Sequence, residues 1–258
     1  MTAIRARREP PEFRVVEVAR VKPRTRYLTR VTFSGPALEG FEVGLPAASV
    51  RLLLPSLAGE LVLPTWNGNE FLLVDGRRPL IRTLTPLAFD PDLPELDVEI
   101  VRHGEGPLSE WVDRAAPGDV VAVSGTGRGY AIDPTDRSFL LVGDESALPA
   151  ISVVLAALPP EASVKVVMEV RNSDAQIDLP LHGGASVEWH ILGGGVDPGQ
   201  ALFDVAIGLH LDPEVRVWAA GEAAAMQRLR RHVFDERGLV RSQVVIRGYW
   251  KTGRDRSS

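Results

Sequence analysis

The stretch FLLVGDESALPAI, residues 139–151, has the pattern of a strand, a short turn and the start of a helix. The apolar run 139–142 predicts a short buried strand, and the almost wholly apolar segment 147–158 predicts a helix. Ser146 is the predicted N-cap, and Pro149 falls within the first turn, where no hydrogen-bond donor is lost. The stretch therefore predicts a strand–helix unit of a largely parallel sheet that is covered on both faces.

The same alternation continues toward the C-terminus. Further strands are predicted at residues 164–170, 186–192, 215–220 and 243–249, and helices at 201–209 and 222–237. Ligands of such folds bind at the carboxyl ends of the strands. The segments that follow these strands are therefore the first candidates for a binding site.

Before about residue 135 the pattern is different, because short apolar stretches are broken by Gly and Pro. Six strands of an antiparallel barrel are predicted, at residues 13–21, 27–35, 49–55, 79–87, 96–103 and 119–125, with one helix at 106–118. We therefore expect a β-barrel plus α/β architecture. An antiparallel barrel of residues 1–135 precedes a mostly parallel, nucleotide-binding-like α/β domain of residues 136–258.

Composition excludes several classes of function. The 258-residue chain has a net charge of −5, which does not favour nucleic-acid binding, since that binding depends on neutralising phosphates. It has no cysteine, which excludes disulfides, thiolate zinc sites and iron–sulfur clusters carried by this chain. No signal-peptide core and no run of ~18 apolar residues occurs, so we expect a cytoplasmic protein without stable membrane insertion.

The barrel half contains two candidate anion sites. RTLTP, residues 82–86, places a cation beside hydroxyl donors, which suits a phosphate, although a polar barrel edge has the same pattern. Strand alternation puts Thr83 and Thr85 on one face unless the strand bends before Pro86. RHGEGPLSEW, residues 102–111, leads into a helix near Pro107 whose free N–H groups form a second anion site. His103 is a proton donor, a hydrogen-bond partner or a structural residue.

In the α/β half the turn at 143–146 lacks the GxGxxG fingerprint of dinucleotide-binding folds. Asp144 and Glu145 would repel a pyrophosphate placed against them. WAAGE, residues 218–222, repeats the arrangement of a strand that ends in Gly–Glu before a helix. RGYWKTG, residues 247–253, places two aromatic residues and two cations at the end of the last strand.

Five motifs follow one another along the chain: an R-x-L-T variant of the R-x-Y-T flavin motif, HGEGPLSEW, GDESALPA, WAAGE and GYWKTG. In this order they resemble the siderophore-interacting protein family. These are flavin-dependent ferric-siderophore reductases of the ferredoxin–NADP reductase superfamily, and the resemblance covers residues 13–253. It implies that FAD passes electrons from NAD(P)H, or from a ferredoxin, to a ferric siderophore and so releases Fe(II). No catalytic side chain and no protein metal ligand are implied, since the chemistry belongs to the flavin.

The resemblance also assigns residues. Arg82 would contact the FAD phosphates and Thr85 the flavin ring. The implied cofactor-binding set is Arg82, Thr83, Leu84, Thr85, Val101, His103, Gly106, Pro107, Leu108, Ser109 and Trp250. The nicotinamide side would comprise Gly143, Asp144, Glu145, Ser146, Gly221 and Glu222. Arg51, Arg128 and Lys251 are the candidate siderophore-binding cations.

Two departures from the family pattern leave alternatives open. Leu84 stands where the family often has tyrosine, and Pro86 follows Thr85 where it often has arginine soon after. A general NAD(P)H flavin reductase would share every cofactor motif, and a non-catalytic iron-chelate carrier could have lost the flavin. The arginines at 228–231 are a candidate site for the 2′-phosphate of NADPH or a solvated helix surface.

Overall fold

The protein is described from a computed structural model over residues 10–56, 59–102 and 106–253. Its N-terminal half forms a seven-stranded antiparallel sheet with the order β6-β3-β9-β1-β2-β8-β7. The strands are β1 (Phe13–Pro23), β2 (Leu28–Ser34), β3 (Val50–Leu53), β6 (Ile81–Leu84), β7 (Pro86–Asp90), β8 (Glu95–Val101) and β9 (Val120–Ser124). A separate two-stranded hairpin consists of β4 (Thr65–Trp66) and β5 (Phe71–Leu72).

The two edge strands of this sheet, β6 and β7, are consecutive in the chain and are joined by one residue, Thr85. The chain can step from one edge to the other in a single residue only if the sheet curls until its edges meet. The predicted antiparallel barrel is confirmed. The single strand predicted over residues 79–87 is wrong, because the chain changes edges at Thr85.

Alternating apolar residues of the strands fill the barrel. Phe33 and Leu52 are fully buried, and the ring of Trp111 lies 6.4 Å from that of Phe33. Trp111 belongs to helix α1 (Pro107–Arg114), which follows β8 and closes one end of the barrel core. The helix ends at Arg114 and is shorter than the predicted 106–118, because the chain forms a turn at Pro117 and Gly118.

The C-terminal half forms a five-stranded parallel sheet with the order β12-β11-β10-β13-β14. Its strands are β10 (Ser138–Asp144), β11 (Ser163–Val170), β12 (Ala185–Ile191), β13 (Arg216–Glu222) and β14 (Val244–Trp250). Its helices are α2 (Leu148–Ala157), α3 (Gln200–Gly208) and α4 (Ala223–Arg231), and a π-helical turn, His232–Glu236, ends the last one. The predicted parallel α/β half is confirmed.

Strand order reverses between the central strand β10 and its neighbour β13, so their carboxyl ends form the crevice where α/β sheets bind ligands. One apolar core lies on each face of the sheet, with Trp218 in the first and Met226 in the second. None of the helices in the described ranges is long and apolar enough to cross a membrane.

Side chains connect the two halves directly. Arg247 of β14 donates to the carbonyls of Ala47 at 3.0 Å and Gly129 at 3.1 Å, both in loops of the barrel half. Asn172 donates to the hydroxyl of Tyr27 at 2.9 Å, and the Arg171 guanidinium lies 4.6 Å from the centre of the Tyr27 ring. These contacts fix the carboxyl ends of the parallel strands against the barrel.

Candidate functional site

The candidate site is built around Thr85, where the barrel edges meet. Thr85 is 8% exposed and hydrogen-bonds to the side chain of Tyr249, near the end of β14. The environment of the Tyr249 hydroxyl raises its pKa, chiefly through desolvation, so Tyr249 stays a neutral hydrogen-bonding group at physiological pH. Thr85 therefore lies where the barrel meets the carboxyl edge of the parallel sheet.

Arg82 precedes this junction on β6. Its Nη1 donates to the carbonyl of Ile81 at 3.0 Å, and within the described ranges it forms no ion pair with a carboxylate. Its other four N–H groups make no hydrogen bond to a described residue, and a half-buried guanidinium of this kind suits a phosphate, which accepts such donors in pairs.

The start of helix α1 supplies further donors on the same side of the barrel. Pro86 pairs with Val98 on β8, so Thr85 lies beside the C-terminal half of the strand that leads into α1. Gly106 precedes the helix without a side-chain cap, and Pro107 is at its first turn. The first-turn N–H groups of an α-helix have no intrahelical acceptor, so those of Leu108 and Ser109 are available to an anion.

The other residues of the predicted cofactor set have mixed environments. Leu84 is half-buried and packs against the barrel core, while Thr83 is exposed. Thr83 and Thr85 do not share a face, because β6 ends at Leu84 and the chain bends there. Val101 is buried beside Tyr27 at the contact between the two halves. His103 lies outside the described residues.

These donors fit the phosphates of FAD. An arginine without a carboxylate partner in the described chain, an uncapped helix N-terminus and a hydroxyl at the junction are the groups that bind a diphosphate. Among the described residues, nothing lies within 4 Å of a Cβ built on Gly106, so none of them blocks the helix start. The residues therefore fit the cofactor, although its contacts stay a prediction.

In the turn after β10, the Asp144 carboxylate is hydrogen-bonded to groups of the protein itself. Asp144 Oδ1 accepts from the backbone N and the hydroxyl of Ser146, at 2.9 and 2.5 Å. Its Oδ2 accepts from Glu222 N at 2.8 Å and from Trp250 Nε1 at 2.7 Å. Burial raises the pKa of Asp144, and these four donors oppose that shift. The prediction that Ser146 is the N-cap of α2 is wrong, since Ala147 holds that position. Ser146 lies in a 3₁₀ turn before the helix, Glu145–Ala147, which Asp144 caps.

The carboxylates of Glu145 and Glu222 also have hydrogen-bond partners within the protein. The Glu145 carboxylate accepts hydrogen bonds from Arg171. The backbone N of Arg171 donates at 2.6 Å, and the Arg171 guanidinium donates at 2.7 to 3.0 Å. Glu222 caps helix α4, accepting from Ala224 N at 2.6 Å and Ala225 N at 2.9 Å. Burial opposes the ionised form of Glu222, yet its backbone donors outweigh burial and the pKa lies below its usual value.

The glycines of these turns allow close packing. A Cβ on Gly143 would lie 2.5 Å from Ala147 Cβ, and one on Gly221 would lie 2.6 Å from Asp144 Oδ2. Gly143 therefore lets the chain turn closely into the helix, and Gly221 makes room for the Asp144 carboxylate. The predicted nicotinamide-side residues do come together, with their carboxylates already hydrogen-bonded.

Two of the arginines of α4 also donate hydrogen bonds to groups within the protein. Arg228 donates to Gln200 Oε1 at 2.6 Å and stacks over Phe203 at 5.3 Å, and Arg230 donates to the carbonyl of Ile246. Both contribute to packing between α4 and its neighbours. Within the described chain, their contacts favour the structural interpretation of this cluster over a 2′-phosphate site.

The predicted siderophore-binding cations lie on three segments. Arg51 is on β3 and pairs with Thr83 of β6 and Ser124 of β9. Arg128 is exposed in the loop after β9, which is held beside the start of β3 by a 2.6 Å bond from Gly127 N to Ser49 O. Lys251 is exposed directly after Trp250. Their role in binding stays a prediction.

Sequence reasoning missed Tyr249, Arg247 and Tyr27, which join the halves at the site. RGYWKTG carried a signal for the first two, because adjacent aromatic and cationic residues at a strand end are suited to an interface. Tyr27 stands at the beginning of an ordinary apolar strand pattern, so nothing distinguished it. In the described part of the chain, no cluster of His, Cys, Asp or Glu could hold a metal ion.

Two family models match the chain. One, described as "Siderophore-interacting FAD-binding domain", matches residues 15–130, and the other, "Siderophore-interacting protein", matches residues 136–253. Together they include both candidate anion sites and the turns after β10 and β13.

Individual proteins agree with these matches. A siderophore utilization protein from T. fusca is 32% identical, with a TM-score of 0.84 over 97% of each chain. The ferric vibriobactin reductase ViuB of Vibrio cholerae is 28% identical over 251 residues, covering 94% of this chain and 90% of the relative. The NADPH-dependent ferric-chelate reductase of Escherichia coli is 28% identical over 244 residues, covering 92% of each.

Proposed function

Because this chain belongs to the siderophore-interacting protein family, we propose that it is an FAD-dependent reductase of ferric siderophores and releases their iron as Fe(II). The observation that carries the proposal is the set of phosphate donors at the barrel junction. Arg82 and Thr85 lie close together in the chain at the barrel edge, Thr85 lies beside the strand that leads into α1, and Arg82 has no carboxylate partner in the described chain.

In this proposal each part of the chain has one task. Arg82 and the first-turn N–H groups of α1 bind the FAD phosphates, and Thr85 contacts the flavin ring with its hydroxyl oriented by Tyr249. Leu84 covers part of the ring in place of an aromatic residue. When bound, FAD supplies the conversion between a two-electron donor and the one-electron reduction of Fe(III). The chelate carries its own iron, so no protein metal ligand is required.

We propose NAD(P)H as the electron donor, at the carboxyl ends of β10 and β13. The relative named as an NADPH-dependent ferric-chelate reductase supports this choice. The side chains of Asp144, Glu145 and Glu222 are already satisfied and would act through shape and backbone groups. The other donor to test is a reduced ferredoxin, and comparing reduction rates with NADH, NADPH and ferredoxin distinguishes the three. We also propose that the domain boundary lies near residue 135, between β9 and β10.

The first experiment separates cofactor binding from chelate binding with two arginines on adjacent strands. Arg82→Ala should weaken FAD binding by about 1.5–3 kcal/mol, because charge-assisted hydrogen bonds are lost. Arg51→Ala is the matched control, since Arg51 pairs with the neighbouring residue Thr83, which alternates to the opposite face of the strand. FAD affinity is measured by flavin fluorescence. A protein that never binds FAD, or an Arg82→Ala variant with unchanged affinity, would contradict the proposed site.

The second experiment tests the chelate. Photoreduced enzyme is mixed with a ferric siderophore in stopped flow, and reoxidation is followed at increasing salt for wild type, Arg51→Ala, Arg128→Ala and Lys251→Ala. Salt and each substitution should slow association, since exposed charges are screened over about 10 Å at 0.1 M. Oxidation by a neutral acceptor should not change. Equal, salt-independent rates in all four proteins would favour a general flavin reductase instead.

A further inference from the structure

Except for Arg51, the residues that line one groove of the barrel half have no part in the proposed function so far. The β4–β5 hairpin lies over the strands that carry Arg51 and Ile81 and leaves an open groove of about 430 Å³. The hairpin groove is defined by Arg51, Trp66, Glu70, Phe71, Arg78 and Ile81, and Asn69 and Pro79 complete its lining.

Aromatic rings form one wall of the hairpin groove. The ring of Phe71 lies 5.1 Å from that of Trp66 and 5.3 Å, edge-on, from that of Phe13. Phe13 belongs to β1, so it fixes the hairpin against the main sheet through Phe71. Trp66 and Phe71 remain half-exposed. Two ring surfaces held open in this way are suited to a planar apolar ligand.

The charge of the hairpin groove is positive. The Arg51 guanidinium lies 5.8 Å from the centre of the Phe71 ring, and no carboxylate in the described ranges forms an ion pair with it. Arg78 pairs with Glu70 at 2.7 Å, and both of these residues line the groove. Two arginines and one glutamate leave one net positive charge beside the rings.

Strand β6, which carries Ile81 of the groove, leads to Thr85 at the candidate flavin site. Ile81 and Thr83 alternate onto the same face of β6, and Arg51 pairs with Thr83 across the strands. Thr83 is exposed and is separated from Thr85 by one residue. A ligand in the hairpin groove therefore lies against the strand that leads to the barrel junction.

We propose that the hairpin groove binds an aromatic ring bearing negatively charged oxygens, such as a catecholate or phenolate arm of the ferric chelate. The inference rests on the proposed function and specifies its substrate class. A neutral aliphatic ligand would gain nothing from the arginines, and a non-aromatic anion nothing from Trp66 and Phe71. Only a ligand with both features uses the whole lining.

Three ferric probes separate ring from charge. Ferric tris(2,3-dihydroxybenzoate) is aromatic and anionic, ferric citrate is anionic without a ring, and ferric tris(acetohydroxamate) is neutral without a ring. Half-saturation concentrations come from stopped-flow reoxidation of photoreduced holoenzyme. Trp66→Ala should raise the value for the aromatic probe about two- to tenfold, as expected for the loss of one ring contact, and leave the other two unchanged. Trp66→Phe should restore most of the affinity.

Two neighbouring arginines provide the charge control. Arg78 and Arg77 both carry exposed ion pairs, with Glu70 and Asp75, but only Arg78 lines the groove. Arg78→Ala should weaken the aromatic probe more than Arg77→Ala does. Equal effects of the two substitutions, or an equal effect of Trp66→Ala on all three probes, would overturn the inference.

The adenine ring of FAD is the other aromatic anion that has to be distinguished. FAD affinity of Trp66→Ala is therefore measured separately by flavin fluorescence and should equal that of wild type. Weakened FAD binding with unchanged chelate kinetics would assign the groove to adenine and overturn the inference. Failure of wild type to reduce any of the three probes would instead refute the proposed function.

Discussion

Replacing Asp144 with alanine tests whether one buried carboxylate joins strands β10 and β13 of the parallel sheet. The substitution removes the acceptor of Glu222 N and Trp250 Nε1, which reach Asp144 Oδ2 at 2.8 and 2.7 Å. Leaving a buried donor without an acceptor costs about 1–3 kcal/mol. Glu222 N is buried and Trp250 Nε1 is partly buried, so the two together give about 2–5 kcal/mol. Removing a carboxylate whose burial raises its pKa offsets part of this loss. We expect the free energy of unfolding to fall by about 3 kcal/mol.

The assay is urea denaturation of the FAD-saturated protein, followed by far-ultraviolet circular dichroism and tryptophan fluorescence. Equal m-values between variants would show that the change is in stability and not in compactness. Asp174→Ala is the matched control, because Asp174 is exposed and its side chain has no hydrogen-bond partner among the described residues. Only its backbone N is engaged, donating to Asn172 Oδ1. That control should unfold like wild type.

A double-mutant cycle isolates the bond to the indole. Trp250→Phe keeps a ring and removes the Nε1 donor, so its cost should be smaller in the Asp144→Ala background than in wild type. We expect a coupling energy of about 1 kcal/mol. An Asp144→Ala variant as stable as Asp174→Ala, or a cycle without coupling, would refute the conclusion that this carboxylate holds the turn together.

Three further predictions follow from individual positions. Gly221→Ala should cost about 1–3 kcal/mol, because its Cβ would lie 2.6 Å from an Asp144 oxygen, whereas Gly208→Ala has open space and should be nearly neutral in the same denaturation assay. Burial raises the pKa of Tyr130 from 10.0 to about 12, so its contribution to stability is present below pH 10 and is lost as pH rises toward 12. Tyr130→Phe should flatten that alkaline decline in stability, and an unchanged decline would contradict the assignment. Leu84→Tyr should tighten FAD binding by about 0.5–1.5 kcal/mol through ring stacking, measured by flavin fluorescence; equal affinity would show that this position does not face the ring.

The sequence predicted the elements whose signals are local. Alternation of strands and helices after residue 135 and the broken apolar stretches before it were sufficient for the two-part architecture. Residues at the ends of strands were also located correctly, because Gly–Asp and Gly–Glu at 143–144 and 221–222 follow strand patterns directly.

The side-chain contacts that the sequence did not predict are formed between residues far apart along the chain. The donors of Asp144 include residues 78 and 106 positions away, so its role as an acceptor cannot be read from the turn itself. Strands β4 and β5 have two residues each, which is too short for any periodicity. Trp66 and Phe71 therefore had no signal as a pair until the hairpin brought their rings together.

The single-residue connection at Thr85 has a consequence for how the chain tolerates change in length. Loops between neighbouring strands can lengthen at little cost, because the entropy of closing a loop grows slowly with its length. The β6–β7 connection is different, because one added residue would shift both edge strands against their partners and move Arg82 relative to helix α1. Cutting the chain there would turn this closed sheet into an open one, and both newly made ends would lie beside the proposed flavin site.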